Sequence, residues 1–335
     1  MKAIVATRFG EPAEVLELKT VPDPQSPAAG EVIVRVTKRR LHPGNLAMIR
    51  GRFNLKLPAD GLVPGGDGVG VVEAVGEGVD SKRGVKPGTR VIFNPSPGAW
   101  AERLKTRAEL VWPIPDDLPD AIAAQLLPNT VIALLLLRAA QRAASNAGRE
   151  TPILLTAAGS SVARILTIAA RRRGLRVVSA VRSRRGAKVL SARFPDLTVV
   201  SMTDRNWTDQ VRRAAGERPL QVIMDPVGGT MVSELVALLG DGGTLLFYGG
   251  LAAEPITLAS VQLAHREIMF KGVSSSRWLQ TTSAEQRTED VKEAIEIGRG
   301  APEQFEVDAD YDLARFIDAI EHTERAGRDG AILIS

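Results

Sequence analysis

The chain has 335 residues, 44% of them hydrophobic and 24% charged, with a net charge of +4. This balance excludes a disordered chain, and the length exceeds one ordinary hydrophobic core, so two domains are expected. There is no cysteine, which excludes disulfides, thiolate nucleophiles and the usual structural zinc cages.

The start, Met1-Lys2-Ala3-Ile4-Val5-Ala6, reads as a strand and lacks a signal-peptide layout. Residues 1 to about 118 read as β. Val15–Leu18 and Val32–Val36 are short and rich in branched residues, and Pro22, Pro24 and Pro27 mark a loop between them. Gly65–Val75 is a glycine- and valine-rich strand region turned by Gly76-Glu77-Gly78. Lys86-Pro87-Gly88 leads into the strand Arg90–Phe93. No helical period dominates this part. After Pro119 the pattern changes. Ala121–Arg142 is rich in alanine and leucine and reads as one or two helices. Then strands (Pro152–Thr156, Leu175–Val181, Leu197–Val200, Val222–Asp225, Gly243–Tyr248) alternate with helices (Val162–Arg173, Arg185–Arg193, Trp207–Ala215, Met231–Leu239), and Gly174 stops the first helix. Such alternation implies a parallel sheet with right-handed crossovers. Beyond about residue 262 the repeat ends, leaving a helix over Tyr311–Ala326 and a closing strand, Ala331–Ile334.

Several function classes are disfavoured. No run of about 18 uncharged apolar residues is seen, the longest candidate being Val131–Leu137 before Arg138, so no membrane span and a cytoplasmic location are expected. His42, His265 and His322 are far apart and show no metal-ligand spacing, so each reads as an ordinary surface or packing histidine. Arginines cluster at 171–173 and at 182, 184 and 185, but aromatic residues make up only 4%. A nucleic-acid face would want stacking aromatics as well.

The first strand of the alternating region runs into Thr156-Ala157-Ala158-Gly159-Ser160-Ser161-Val162-Ala163. Small side chains in a strand-to-helix turn let backbone approach a pyrophosphate at the positive end of a helix. Gly159 is the only glycine in it, and a plain structural turn also accounts for these residues. Arg182 and Arg184 follow the second strand, where an NAD site would place an acid. Two guanidinium groups suit a 2′-phosphate instead; a solvated basic loop is the alternative. Asp225-Pro226-Val227-Gly228-Gly229 and Gly249-Gly250 end the next two strands at the edge where open α/β sheets bind ligands.

Taken in order, these residues resemble the medium-chain dehydrogenase/reductase superfamily, and within it the zinc-independent quinone oxidoreductases and mitochondrial-type 2-enoyl thioester reductases. Leu41-His42-Pro43-Gly44-Asn45 through Ile49-Arg50-Gly51-Arg52-Phe53 is similar to the family's asparagine-proline-serine-aspartate segment and the glycine-x-tyrosine after it. Gly65–Gly70 is similar to its glycine-rich strand, Ala123–Ala133 with Asn129 to its nucleotide-domain entry, and Phe270–Trp278 to its returning segment. Zinc-dependent relatives carry glycine-histidine-glutamate where this chain has Gly66-Asp67-Gly68. The chain departs from the family pattern at Phe53, which stands for a tyrosine proposed as proton donor, and at Asn45, Ile132, Ala163 and Asp329-Gly330.

The resemblance implies an α/β fold: a Rossmann doubly wound parallel sheet over 119–261, inserted into a GroES-like, mainly β substrate domain formed by 1–118 plus 262–335. It implies an NADP(H)-dependent reductase of a quinone or an activated α,β-unsaturated carbonyl, working without zinc on a small-molecule substrate, and a homodimer. A 2-enoyl thioester reductase, or a cofactor-binding protein with little turnover acting through a partner, are the alternatives. Asn45 and Phe53 are the catalytic candidates, and loop capping is an equal reading of Asn45. The candidates for cofactor binding are Asn129, Ala158, Gly159, Ser160, Ser161, Val162, Arg182, Arg184, Tyr248, Gly249, Gly250, Val273 and Ser275.

Overall fold

The computed structural model describes residues 1–53, 56–144, 152–216, 219–325 and 330–335. The chain divides into two compact units, 1–128 with 291–335, and 129–290.

The first unit is mainly β. Strands β1 (Lys2–Ala6) and β2 (Leu16–Thr20) pair antiparallel. The larger sheet is built from β3 (Glu31–Leu41), β4 (Gly68–Val75), β5 (Arg90–Phe93), β6 (Arg103–Arg107) and β7 (Val111–Pro113). It is completed near the C-terminus by two strands numbered below as β14 (Val307–Tyr311) and β15 (Ala331–Ile334). Its order is β14-β15-β3-β4-β5-β7, with β6 also on β3. Alternating branched residues send Val32, Val34, Val36, Val72, Val91 and Phe93 into one core, at about 1.5–3 kcal/mol for each large side chain fully buried. A second core gathers Ile4, Leu41, Leu46, Ile49, Trp100, Phe316 and Ile332. Gly65 borders it with φ +84°, and a Cβ there would lie 2.3 Å from Trp100 Cδ1, so backbone conformation and space both require glycine.

Two helical segments depart from the all-β reading of this unit: a single turn, Pro12–Val15, and Pro43–Ile49. Pro43 sits at the first helical position, where its missing amide costs nothing. The helix expected over Tyr311–Ala326 is Phe316–Glu324; Tyr311 instead ends β14, and a short turn, Leu313–Arg315, leads into the helix; Ala326 and Asp329 lie outside the described residues.

The second unit holds a six-stranded parallel sheet of β8 (Ile153–Leu155), β9 (Val177–Val181), β10 (Thr198–Ser201), β11 (Leu220–Asp225), β12 (Leu239–Phe247) and β13 (Met269–Gly272). The order is β10-β9-β8-β11-β12-β13, that of a Rossmann fold, with its topological switch between β8 and β11. The expected doubly wound sheet beside a mainly β domain is thus the observed fold. One feature of it was not expected: β13 pairs parallel with β12, so the sheet continues past residue 262. Four residues of lone edge strand carry too little periodicity to be read from sequence. Helices Ser161–Arg172, Arg184–Arg193, Trp207–Ala215 and Val232–Leu238 connect the strands. Gly174 takes the left-handed φ of +68° that ends the first of them.

The stretch after Pro119 is one helix, Asp120–Ala143, with Pro128 inside it. By length and composition it could cross a membrane, contrary to the shorter Val131–Leu137 candidate, but 72% of its most apolar stretch is buried inside the protein. A mostly buried core helix passes the same length test as a membrane span.

Candidate functional site

Because all six strands of the second unit are parallel, their carboxyl ends share one edge. That edge collects most of the candidate nucleotide-binding residues. Beyond β8, Ala157 has a left-handed φ of 45°, and the turn closes with Ser160 N–H donating to the Ala157 carbonyl at 2.9 Å. Ser160 then caps the helix Ser161–Arg172, its hydroxyl accepting from Ala163 N–H at 3.4 Å. The remaining first-turn amides, those of Ser161 and Val162, have no intrahelical acceptor and carry the positive end of the helix dipole. A Cβ at Gly159 would meet nothing within 4 Å, so the turn leading into this helix is open at its glycine. Ala158 is buried, its N–H donating to the Ala180 carbonyl at 3.1 Å.

Across the switch point β8 and β11 are tied together. Asp225 is fully buried, and its carboxylate accepts from the Thr156 hydroxyl and from Gly228 N–H, the latter at 2.6 Å. This tie was not read from sequence, because its two ends lie 69 residues apart. Tyr248 follows β12 nearby. Its hydroxyl is buried without a hydrogen-bond partner. Burial pushes the phenol above its ordinary range, the adjacent Ser160 hydroxyl opposes this, and the Asp225 charge adds to it. The Ser160 hydroxyl lies close without completing a hydrogen bond to it. Gly249 has a packing reason: a Cβ would stand 2.7 Å from the Pro226 carbonyl oxygen. Gly250 faces open space. Past β13, Val273 N–H donates to the Phe247 carbonyl at 2.7 Å, and Ser275 opens a short turn, Ser275–Arg277.

Arg182 and Arg184 follow β9, and both are exposed. Ser183 caps the helix Arg184–Arg193 by accepting from Gly186 N–H at 3.2 Å. The sequence reading found no acid competing here. The structure corrects that: Arg184 Nε donates to Asp204 Oδ1 at 2.6 Å, and this bond holds the Asp204 carboxyl below its ordinary range. Asp204 arrives because β10 lies beside β9. Arg182 is therefore the less committed of the two cations. Arg164, which the sequence reading passed over, is buried and donates from Nη1 to the Gly159 carbonyl at 3.2 Å, fixing the loop from below. Asn129 is buried in the long helix, away from the strand ends in sequence.

Asn45 and Phe53 belong to the first unit and are described with it. Asn45 is buried on the helix Pro43–Ile49, and its Oδ1 accepts from His42 N–H at 3.0 Å. The side chain thus has a capping role. Phe53 is 56% exposed. His42 had been set aside as an ordinary histidine. Its Nε2 lies 3.6 Å from Asp67 Oδ1, and the other Asp67 oxygen is buried without a partner. Among the described residues no group of three or more His, Cys, Asp or Glu side chains could hold a metal.

Residues 28–116 match the alcohol dehydrogenase GroES-like domain family. A mitochondrial enoyl-[acyl-carrier-protein] reductase from Bos taurus is 29% identical over 293 residues, covering 85% of this chain and 75% of the relative. A solved mycobacterial protein complexed with NADPH is 25% identical with a TM-score of 0.84, covering 100% of this chain and 99% of that one. Escherichia coli quinone oxidoreductase, solved with NADPH, shares the fold with a TM-score of 0.83 at 21% identity, over 100% and 99% of the two chains. Through its GroES-like segment, its fold and these relatives, the chain is similar to the medium-chain dehydrogenase/reductase superfamily, to which the resemblance of its motifs also points.

Proposed function

We propose that this protein is an NADPH-dependent oxidoreductase that reduces a quinone or an activated α,β-unsaturated carbonyl by hydride transfer without zinc. The observation that carries this reading is the strand edge at the switch point. The turn is open at Gly159, the helix after it starts with the uncapped amides of Ser161 and Val162, and exposed Arg182 follows the neighbouring strand. The residues fit a dinucleotide. The Ala158–Val162 turn would take its pyrophosphate, and Arg182, assisted by Arg184, its 2′-phosphate. Tyr248 and Gly250 would border it. When bound, the dihydronicotinamide supplies the hydride. The names of the relatives support both acceptor classes, the Bos taurus protein as an enoyl reductase and the Escherichia coli protein as a quinone oxidoreductase. The test is NADPH consumption against a panel of quinones, enones and enoyl thioesters. Turnover with one of them is expected. Tight NADPH binding without turnover would favour a cofactor-binding protein acting through a partner, the reading that Phe53 in place of a tyrosine supports.

The protein's own residues define the rest of the chemistry. Asn45, held by its bond to the His42 amide, orients rather than reacts. Phe53 has no hydroxyl to donate, so the proton comes from solvent. Zinc lacks its donor set, since the sequence has no cysteine and carries Gly66-Asp67-Gly68 in place of the glycine-histidine-glutamate triplet. Chelators should therefore leave turnover unchanged; stoichiometric zinc in the purified protein would contradict this.

Cofactor choice should rest on the two arginines. A charge-assisted hydrogen bond is worth about 1.5–3 kcal/mol, and about 1.4 kcal/mol is one decade of affinity. The Arg182→Ala, Arg184→Ala double variant should lose at least about tenfold of its preference for NADPH over NADH. Because Asp204 already occupies Arg184, the single Arg182 change should account for most of the loss. An unchanged preference would remove the arginines from the site.

The homodimer implied by the resemblance would use β13. This strand is exposed, pairs on one side only, and carries Met269 and Phe270 at the surface, with Val261 exposed on the preceding helix. An apolar edge strand invites pairing with a second chain. Replacing Met269 and Phe270 by lysine should shift the mass in sedimentation equilibrium from dimer to monomer. A native monomer, or a dimer indifferent to both changes, would count against this interface.

A further inference from the structure

Asp290 is a buried carboxylate that the reading above leaves unused. It lies on the helix Ala284–Gly300 and is 2% exposed. Both terminal nitrogens of Arg138, on the helix Asp120–Ala143, donate to it, Nη1 to Oδ1 at 2.7 Å and Nη2 to Oδ2 at 2.9 Å. Trp278 Nε1 donates to Oδ2 at 2.8 Å, and Gln286 Nε2 to Oδ1 at 3.2 Å. All four residues belong to the second unit. Taking a carboxylate out of water costs free energy that an ion pair returns only in part, and apolar side chains often hold such elements together as well. Stability alone is therefore a weak reason for this cluster. A guanidinium fork on a carboxylate adds geometric specificity, because it fixes direction as well as distance.

What the carboxylate holds in place is the segment after β13. Trp278 is fully buried and opens the short helix Trp278–Thr281. From the same long helix, Arg287 Nη1 donates to the carbonyls of Leu279 at 3.2 Å and Thr282 at 2.7 Å. Arg287 and Asp290 are three residues apart and so share one face of that helix. Residues 278–282 are thereby fastened to it. At the other end, β13 pairs with β12 as far as Gly272, and Val273 N–H donates to the Phe247 carbonyl. Between these two fixed points run residues 273–277, with Ser274, Ser276 and Arg277 exposed. They leave the parallel sheet at its carboxyl edge.

A dinucleotide crosses the switch point with one half on each side. With its 2′-phosphate at Arg182 after β9, its other half reaches towards the ends of β11, β12 and β13. We propose that Asp290 is a positioning residue: through Trp278 it sets residues 273–277 against the nicotinamide half of NADPH, while the adenosine half binds independently of it. This inference rests on the NADPH reading of the strand edge.

The test compares the full chain with its Asp290→Asn and Trp278→Phe variants. Each is titrated by calorimetry with NADPH and with adenosine 2′,5′-bisphosphate, which carries the adenosine half alone. Both ligands should bind the parent. Both variants should keep their affinity for the bisphosphate within about twofold, as separate sites act independently. Affinity for NADPH should fall at least about tenfold in Asp290→Asn, the factor that about 1.4 kcal/mol represents. It should fall about threefold in Trp278→Phe, which removes one hydrogen bond and keeps the Arg138 fork. Lower stability alone, in a chain that still folds, moves neither affinity, so the split between the two ligands separates positioning from a structural role. Should Asp290→Asn fail to fold, Trp278→Phe decides by the same split. NADPH affinity equal to that of the parent, or the two ligands weakened in parallel, would overturn the positioning role. A parent that does not bind the bisphosphate would overturn the NADPH reading itself, and the positioning role with it.

Discussion

Replacing Asp225 by alanine is expected to lower the stability of the parallel-sheet unit by about 3 kcal/mol. The carboxylate is fully buried and joins the ends of β8 and β11 by accepting from the Thr156 hydroxyl and Gly228 N–H. Hydrogen bonds to a charged group contribute about 1.5–3 kcal/mol each, and donors left unpaired in a buried place add to the loss. Relief from desolving one carboxylate offsets part of it. The Thr156 hydroxyl then retains only a long contact of 3.5 Å with the Met224 carbonyl, while the Thr156 backbone N–H keeps its bond to that carbonyl at 3.1 Å. Asp225→Asn, which keeps the shape and one acceptor, should lose about half as much. Thermal or denaturant unfolding measures both. Because the tie holds the turn after β8 against the strand end beyond the switch point, NADPH affinity should fall in the same order as stability. An alanine variant as stable as the parent would show that Asp225 is not what holds these two strand ends together.

Phe53→Tyr is expected to act on one acceptor class and not the other. A reduced quinone takes its protons on oxygen, where solvent is an adequate donor. An enoyl thioester needs a proton on carbon, where a placed donor normally contributes about 10²–10⁴-fold. Phe53 is exposed in a turn, so the added hydroxyl needs no buried partner and should leave folding unaffected. The kcat/KM for a quinone should stay within about twofold, while that for an enoyl thioester should rise at least about tenfold towards the range for a placed donor. Efficient reduction of the thioester by the unmodified protein, indifferent to the substitution, would show that the proton comes from elsewhere.

How much of this was legible in the sequence depended on distance along the chain. The alternation of strands and helices was legible, because each element carries its own period and stop, as at Gly174. So was the strand-to-helix turn around Gly159, whose small residues and Ser160 cap are contiguous. The contacts that make this edge specific were not. Arg184 meets Asp204 twenty residues away only because β10 lies beside β9. Thr156 finds Asp225 only because β8 and β11 adjoin at the switch point. His42 and Asp67 face each other from segments that read separately as a packing histidine and a glycine-rich strand. The edge strand β13 is too short for its pattern to be seen before its partner is known. Arg39 shows the same limit: its position in a β-branched strand predicts nothing about whether its guanidinium finds acceptors, since the shorter of its two bonds goes to the Ala101 carbonyl, 62 residues away.

On the proposed function, the protein transfers a hydride from NADPH to an activated acceptor without a metal. The most direct measurement is transfer of deuterium from NADPH carrying deuterium at both nicotinamide C4 positions to an enone, with chelator present, followed by mass spectrometry of the product. One deuterium on carbon is expected in each reduced product, formed at the rate at which NADPH is consumed. NADPH consumption that leaves the product unlabelled, or that stops when chelator is added, would contradict it.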